Sequence, residues 1–139
     1  MECTVAQSFE DSARNLWRTI SDFGSVGRYC PAVIECTVDG RYRTLVAKDP
    51  TGQPFQYQER LEAIDQDTMR LTYSMPDTSG FPMQDGYLAT MAVSELSAER
   101  CLLTWSATLE PRDTTPTETM NFIIAVYQSM FDGLRELHR

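Results

Sequence analysis

The stretch "TETMNFIIAVYQSMFDGLRELHR", Thr117–Arg139, decides the fold. Its apolar positions are Met120, Phe122, Ile123, Ile124, Val126, Tyr127, Met130, Phe131, Leu134 and Leu137. On a helix that set covers an arc wider than the ~100° stripe of a surface helix. The spacing therefore predicts a long helix that is mostly buried and lies in a groove. Gly133 near its end costs about 1 kcal/mol against alanine in a helix, which points to close packing or a bend.

The groove must come from the segments before it. "ECTVAQSF" reads as a first strand. In "DSARNLWRTISDFG" the residues Ala13, Leu16, Trp17 and Ile20 follow the spacing of one helical face. Asp11 or Ser12 can cap that helix, and Gly24 follows its end. "SVGRYCP" reads as a short helical turn closed by Pro31.

Six strand-like runs come next. "AVIECTV" and "RYRTLVAK" flank Asp39-Gly40, a two-residue hairpin signal. A strict turn on those two residues pairs Thr37 with Tyr42 and Glu35 with Thr44. "FQYQERLEAID" places Phe55, Tyr57, Glu59, Leu61 and Ala63 on one face, because side chains alternate along a strand. "MRLTYSM" places Met69, Leu71, Tyr73 and Met75 together. After the Pro-, Gly- and Asp-rich loop "PDTSGFPMQDG", the last two runs turn Tyr87, Ala89, Met91 and Val93, then Leu103, Trp105, Ala107 and Leu109, inward. Strands joined by short turns form an antiparallel meander. A curved sheet wrapped around one long helix buries both apolar surfaces.

Bulk properties narrow the function. A chain of 139 residues, 42% hydrophobic and 23% charged, is expected to form one domain over 1–139. Its net charge of −8 repels phosphate backbones and anionic surfaces, so no nucleic-acid partner is expected. No apolar run approaches the ~20 residues of a membrane span, and no membrane insertion is expected. "MECTVAQSFED" lacks the basic start and apolar core of a secretory signal, so the expected location is cytoplasmic. Cys3, Cys30, Cys36 and Cys101 form no CxxC pair and read as small buried core residues. No metal or cofactor is expected. His138 stands at the end of the last helix, where it is expected to meet the helix dipole, and no Ser-His-Asp arrangement is read.

The carboxylate of Glu59 interrupts an apolar row. Burial there costs several kcal/mol unless a partner compensates. Three readings stay open: an ion pair with Arg41 or Arg43, a ligand contact, or a register slip that turns Glu59 to water. Tyr57, Tyr73 and Tyr87 combine apolar area with one hydroxyl each, which suits either a packed core or a cavity with a few oriented polar groups. Met75, Met91 and Met130 suit the same two settings, as do Trp105 and Ala107.

"LWRTISDFGSVGRYCPAV", "ERLEAIDQDTMRLTYSM", "PMQDGYLATMAV" and "CLLTWSATLEP" occur in an order that resembles the SRPBCC superfamily, the START/birch-allergen-like helix-grip proteins. The polyketide cyclase/dehydrase-like branch is the nearest. The resemblance implies an α+β helix-grip fold with a curved seven-stranded antiparallel sheet around a long C-terminal helix. It also implies a deep apolar cavity for a small hydrophobic molecule such as a lipid or polyketide. Carried onto this sequence, the cavity wall would comprise Tyr57, Glu59, Leu61, Tyr73, Met75, Tyr87, Ala89, Met91, Trp105, Ala107, Phe122, Val126 and Met130. If the chain is an enzyme of the cyclase/dehydratase kind, Glu59 and Tyr87 are the candidates for proton transfer. A ligandless protein-interaction module is the third reading. The "ERLEAID" strand is also similar to that of plant abscisic-acid receptors. The lysine of those receptors is replaced near Cys30, and their gate and latch loops have no counterpart here. A monomer or homodimer is expected.

Overall fold

The computed structural model describes residues 1–139. The first strand, β1 (Glu2–Phe9), leads into helix α1 (Ala13–Ser21) and a 3₁₀ turn at Val26–Arg28. Six strands follow: β2 (Val33–Asp39), β3 (Tyr42–Lys48), β4 (Pro54–Asp65), β5 (Arg70–Ser74), β6 (Leu88–Ser97) and β7 (Arg100–Thr108). The chain closes with helix α2 (Pro116–Leu137). All seven strands form one antiparallel sheet in the order β1-β7-β6-β5-β4-β3-β2. This is the α+β helix-grip architecture.

Local chemistry sets the element ends. The Ser12 hydroxyl accepts the Asn15 amide at 3.1 Å and caps α1, while Asp11 accepts the Ser12 amide. Thr115 caps α2 by accepting the Glu118 amide, and Pro116 supplies the fixed φ that suits a first helical turn. The inner face of the sheet follows the expected alternation. Leu71, Tyr73, Ala89, Met91, Val93, Leu103, Trp105 and Ala107 are all buried. Helix α2 lies on that face, with the Tyr127 ring stacked on Trp105 at 4.5 Å and Phe131 edge-on to Trp105.

Three register expectations change. The β2–β3 hairpin turns on Gly40 and Arg41, one residue later than expected. Asp39 faces Tyr42, Thr37 faces Thr44 and Glu35 faces Val46, and a bulge between Val33 and Glu35 brings Val33 opposite Ala47. Gly40 takes φ +61°, the left-handed conformation that glycine adopts without steric cost. In β4, Glu62 is an extra residue between Leu61 and Ala63. That bulge turns Ala63 to the outer face and brings Ile64 opposite Leu71.

The burial of α2 is also narrower than expected. Thr119, Ile123, Tyr127, Met130, Phe131 and Leu134 form the buried stripe, whereas Ile124 and Leu137 are each 39% exposed. Gly133 sits where a Cβ would lie 1.9 Å from the Tyr29 carbonyl oxygen, so the helix touches the 3₁₀ segment directly. Cys3, Cys30 and Cys101 are buried, but Cys36 on the edge strand β2 is only half-buried.

Candidate ligand cavity

The sheet and α2 enclose a cavity of ≈ 60 Å³. Strands β3, β4, β5 and β7 supply Arg43, Leu45, Tyr57, Glu59, Tyr73 and Trp105. Helix α2 supplies Phe122, Ile123, Val126, Tyr127 and Met130. The 3₁₀ segment adds Val26 and Cys30, and Met75, Phe81, Met83 and Tyr87 come from the segment around the β5–β6 loop. The volume is far below the roughly 300–1,000 Å³ of drug-sized ligand sites. The deep cavity expected from the sequence is therefore contracted, because aromatic and methionine side chains fill it.

Glu59 faces this interior at 7% exposure, and its partner is Arg43 rather than Arg41. Arg43 and Glu59 are directly opposite across β3 and β4. Arg43 Nε donates to Glu59 Oε1 at 2.9 Å, and its Nη2 lies 2.7 Å from the same oxygen as an ion-pair contact. Its Nη1 donates to the Phe23 carbonyl at 2.9 Å. The guanidinium also lies 4.0 Å from the centre of the Phe23 ring and 5.3 Å from that of Tyr73. Burial works against its charge, but Glu59 and the nearby Tyr29 and Tyr73 phenols together outweigh burial and hold Arg43 protonated beyond its ordinary range. Glu59 is thus paired with Arg43 and lines the cavity as well.

A second polar group crosses the cavity. The Trp105 indole donates to the Tyr73 hydroxyl at 3.2 Å. The Tyr73 hydroxyl meets that of Tyr87 at 3.5 Å, and Tyr87 shares a hydrogen bond with Tyr127. Burial pushes the Tyr73, Tyr87 and Tyr127 phenols well above their ordinary values, so they stay neutral near pH 7. The Tyr57 phenol is raised for the same reason, and nearby Glu59 adds to it. The Cys30 thiol on the wall is also raised by burial, which makes it a poor nucleophile.

Tyr57, Phe55, Phe81 and Phe122 form an aromatic cluster at one side of the cavity. Phe81 sits edge-on to both Tyr57 and Phe122, at 5.3 and 6.2 Å. The loop that carries Phe81 is braced from within. Thr78 donates from its amide and its hydroxyl to Asp85 Oδ1. Thr119 of α2 donates to the Pro82 carbonyl at 2.8 Å.

Nine of the residues expected on the wall are there: Tyr57, Glu59, Tyr73, Met75, Tyr87, Trp105, Phe122, Val126 and Met130. Leu61, Ala89, Met91 and Ala107 are not. Ala89, Met91 and Ala107 are buried in continuous packing further along the sheet, and half-buried Leu61 lies beside the β4 bulge. Sequence reasoning missed Tyr127, which completes the hydroxyl chain. Its signal was its position four residues after Ile123 and three before Met130, on the same helical face. It also missed Phe81 and Met83, which lie in a loop without periodicity.

His138 also departs from expectation. It is buried, and Nδ1 lies 2.7 Å from Asp11 Oδ2 while Nε2 lies 2.9 Å from the Thr19 hydroxyl. An Asp-His-Thr line therefore exists at the end of α2. It lies outside the cavity wall and ties α1 to the end of α2.

A family model described as "Polyketide cyclase / dehydrase and lipid transport" matches residues 3–139. The protein XoxI from Bacillus cereus has a similar structure, with 26% identity, a TM-score of 0.87, and coverage of 99% of this chain and 94% of that one. A START superfamily protein from Mycobacterium smegmatis matches at TM-score 0.83 with 11% identity, covering 99% and 96%. The di-domain ARO/CYC BexL matches at TM-score 0.80 with 16% identity, covering 98% of this chain and 45% of that one. No curated protein matches this chain.

Proposed function

We infer the function from one premise: the chain belongs to the polyketide cyclase/dehydrase and lipid transport family. Its role is to bind a small, largely apolar molecule between the sheet and α2. The observation that carries this reading is the pair of polar groups facing one cavity. A plain core needs neither a buried Arg43–Glu59 pair nor a line of three tyrosine hydroxyls, since apolar residues of similar volume give equal or greater stability. The ligand enters by displacing Phe81 and the methionines, whose side chains repack readily.

Binding of Nile red, a neutral apolar fluorophore, tests this. Fluorescence should rise on titration, and Met130→Trp, which fills the cavity, should weaken binding by at least about tenfold, as expected for overpacking. No binding, or binding unchanged by Met130→Trp, would favour the interaction-module reading instead. A cyclase or dehydratase using Glu59 and Tyr87 has less support. The raised Tyr87 phenol is a weak proton donor at neutral pH, and Glu59 already serves Arg43.

A further inference from the structure

We propose that the cavity selects an uncharged ligand with one hydroxyl donor for Glu59 Oε2 and one carbonyl-type acceptor for the tyrosine network, and that it turns away carboxylates. This rests on the ligand-binding reading above and assigns the chemical class.

Arg43 is the only cation on the wall and Glu59 the only anion. Each Arg43 nitrogen has a partner: Nε donates to Glu59 Oε1, Nη2 lies 2.7 Å from the same oxygen and Nη1 donates to the Phe23 carbonyl, so the N–H bonds left over belong to a guanidinium that Glu59 already neutralises. The Phe23 and Tyr73 rings flank the guanidinium as well. A ligand carboxylate would have to break this pair or sit beside the Glu59 carboxylate. Like charges in a buried site disfavour each other strongly. The chain's net charge of −8 acts in the same direction at longer range.

Two hydrogen-bonding capacities remain. The first is an acceptor. Both Arg43 contacts converge on Glu59 Oε1, and no protein donor reaches Oε2. The second is a donor. The Trp105 indole is a donor only, and each of the three hydroxyls carries one proton. Four protons serve three contacts along Trp105–Tyr73–Tyr87–Tyr127. One hydroxyl hydrogen is left over whichever way the chain runs. A hydroxylated carbonyl compound answers both capacities, and an acid does not.

The test pairs para-hydroxyacetophenone with para-hydroxybenzoate at pH 7, two single rings that differ in charge. Calorimetric titration of the intact chain should show the ketone bound roughly 100-fold tighter, as expected when a buried site must hold two like charges. para-Ethylphenol keeps the ring and the hydroxyl and lacks the carbonyl acceptor. It should bind about tenfold more weakly than the ketone, the usual cost of one hydrogen bond. Equal binding of the ketone and the benzoate, tighter binding of the benzoate, or para-ethylphenol bound as tightly as the ketone overturns the assignment. Nile red separates the two levels of the argument. If Nile red binds in a Met130→Trp-sensitive way but the ketone is not preferred, only the selectivity fails. If nothing binds, the ligand-binding reading fails with it.

Discussion

At the scale of single residues, the Arg43–Glu59 pair dominates the energetics of the interior. The two charges are almost fully desolvated, and each compensates the other. Arg43→Met removes the cation and leaves Glu59 uncompensated. Chemical denaturation should show a loss of about 3–5 kcal/mol. The double variant Arg43→Met/Glu59→Leu should recover most of that loss, since an apolar pair of similar volume removes the buried charge altogether. A single variant as stable as the parent would mean that the pair is not desolvated in solution. Sequence reasoning identified Glu59 because one carboxylate broke an apolar row of period two. It left Arg41 and Arg43 as alternatives, because the partner depends on the β3–β4 register, and the turn between those strands, rich in Pro and Gly, does not fix that register from sequence.

At the scale of elements, α2 is held by shape as much as by apolar area. Alanine is the better helix former, so Gly133→Ala would gain about 1 kcal/mol on propensity alone. The new Cβ would nevertheless fall against the Tyr29 backbone, which cannot rotate away. The net effect should be destabilising by about 1–3 kcal/mol, the usual cost of overpacking, and the thermal midpoint should drop. A neutral or raised midpoint would mean that the 3₁₀ segment yields to the helix. Strand faces were the most legible elements, because alternation names every inward residue from Tyr87 to Leu109. The β4 bulge was not legible, since one inserted residue leaves the pattern of residue types intact while reversing which face Ala63 and Ile64 meet. The reach of the α2 stripe was overread for a related reason. Ile124 and Leu137 are apolar, yet they face water, and an exposed apolar residue is ordinary on a folded surface.

At the scale of the whole molecule, Asp11, His138 and Thr19 join the two ends of the chain across 127 and 119 residues. No local pattern could reveal that line. Burial raises the Asp11 carboxyl, but hydrogen bonds from His138, Asn15 and the Ser12 amide outweigh it and hold it below its ordinary value. A carboxylate lowered by folding contributes its full stability above the unfolded value of about 4. That contribution disappears as pH falls through the lower folded value. Denaturation between pH 7 and pH 2 should therefore show an acid-side decline, and Asp11→Asn should make it shallower while lowering stability at pH 7. An unchanged slope would exclude Asp11 from the acid response. The size of the cavity was equally hidden from the sequence, because it is set by how Phe81, Met83 and Tyr127 pack from three separate segments. The sheet order has a consequence for synthesis. Strand β1 is made first, yet its only neighbour, β7, lies roughly a hundred residues later. At ribosomal speeds of about 5–20 residues per second, β1 waits several seconds with its hydrogen-bonding edge open. Completing the sheet is thus a late, non-local event, and chain elongation itself sets the earliest moment at which the cavity can close.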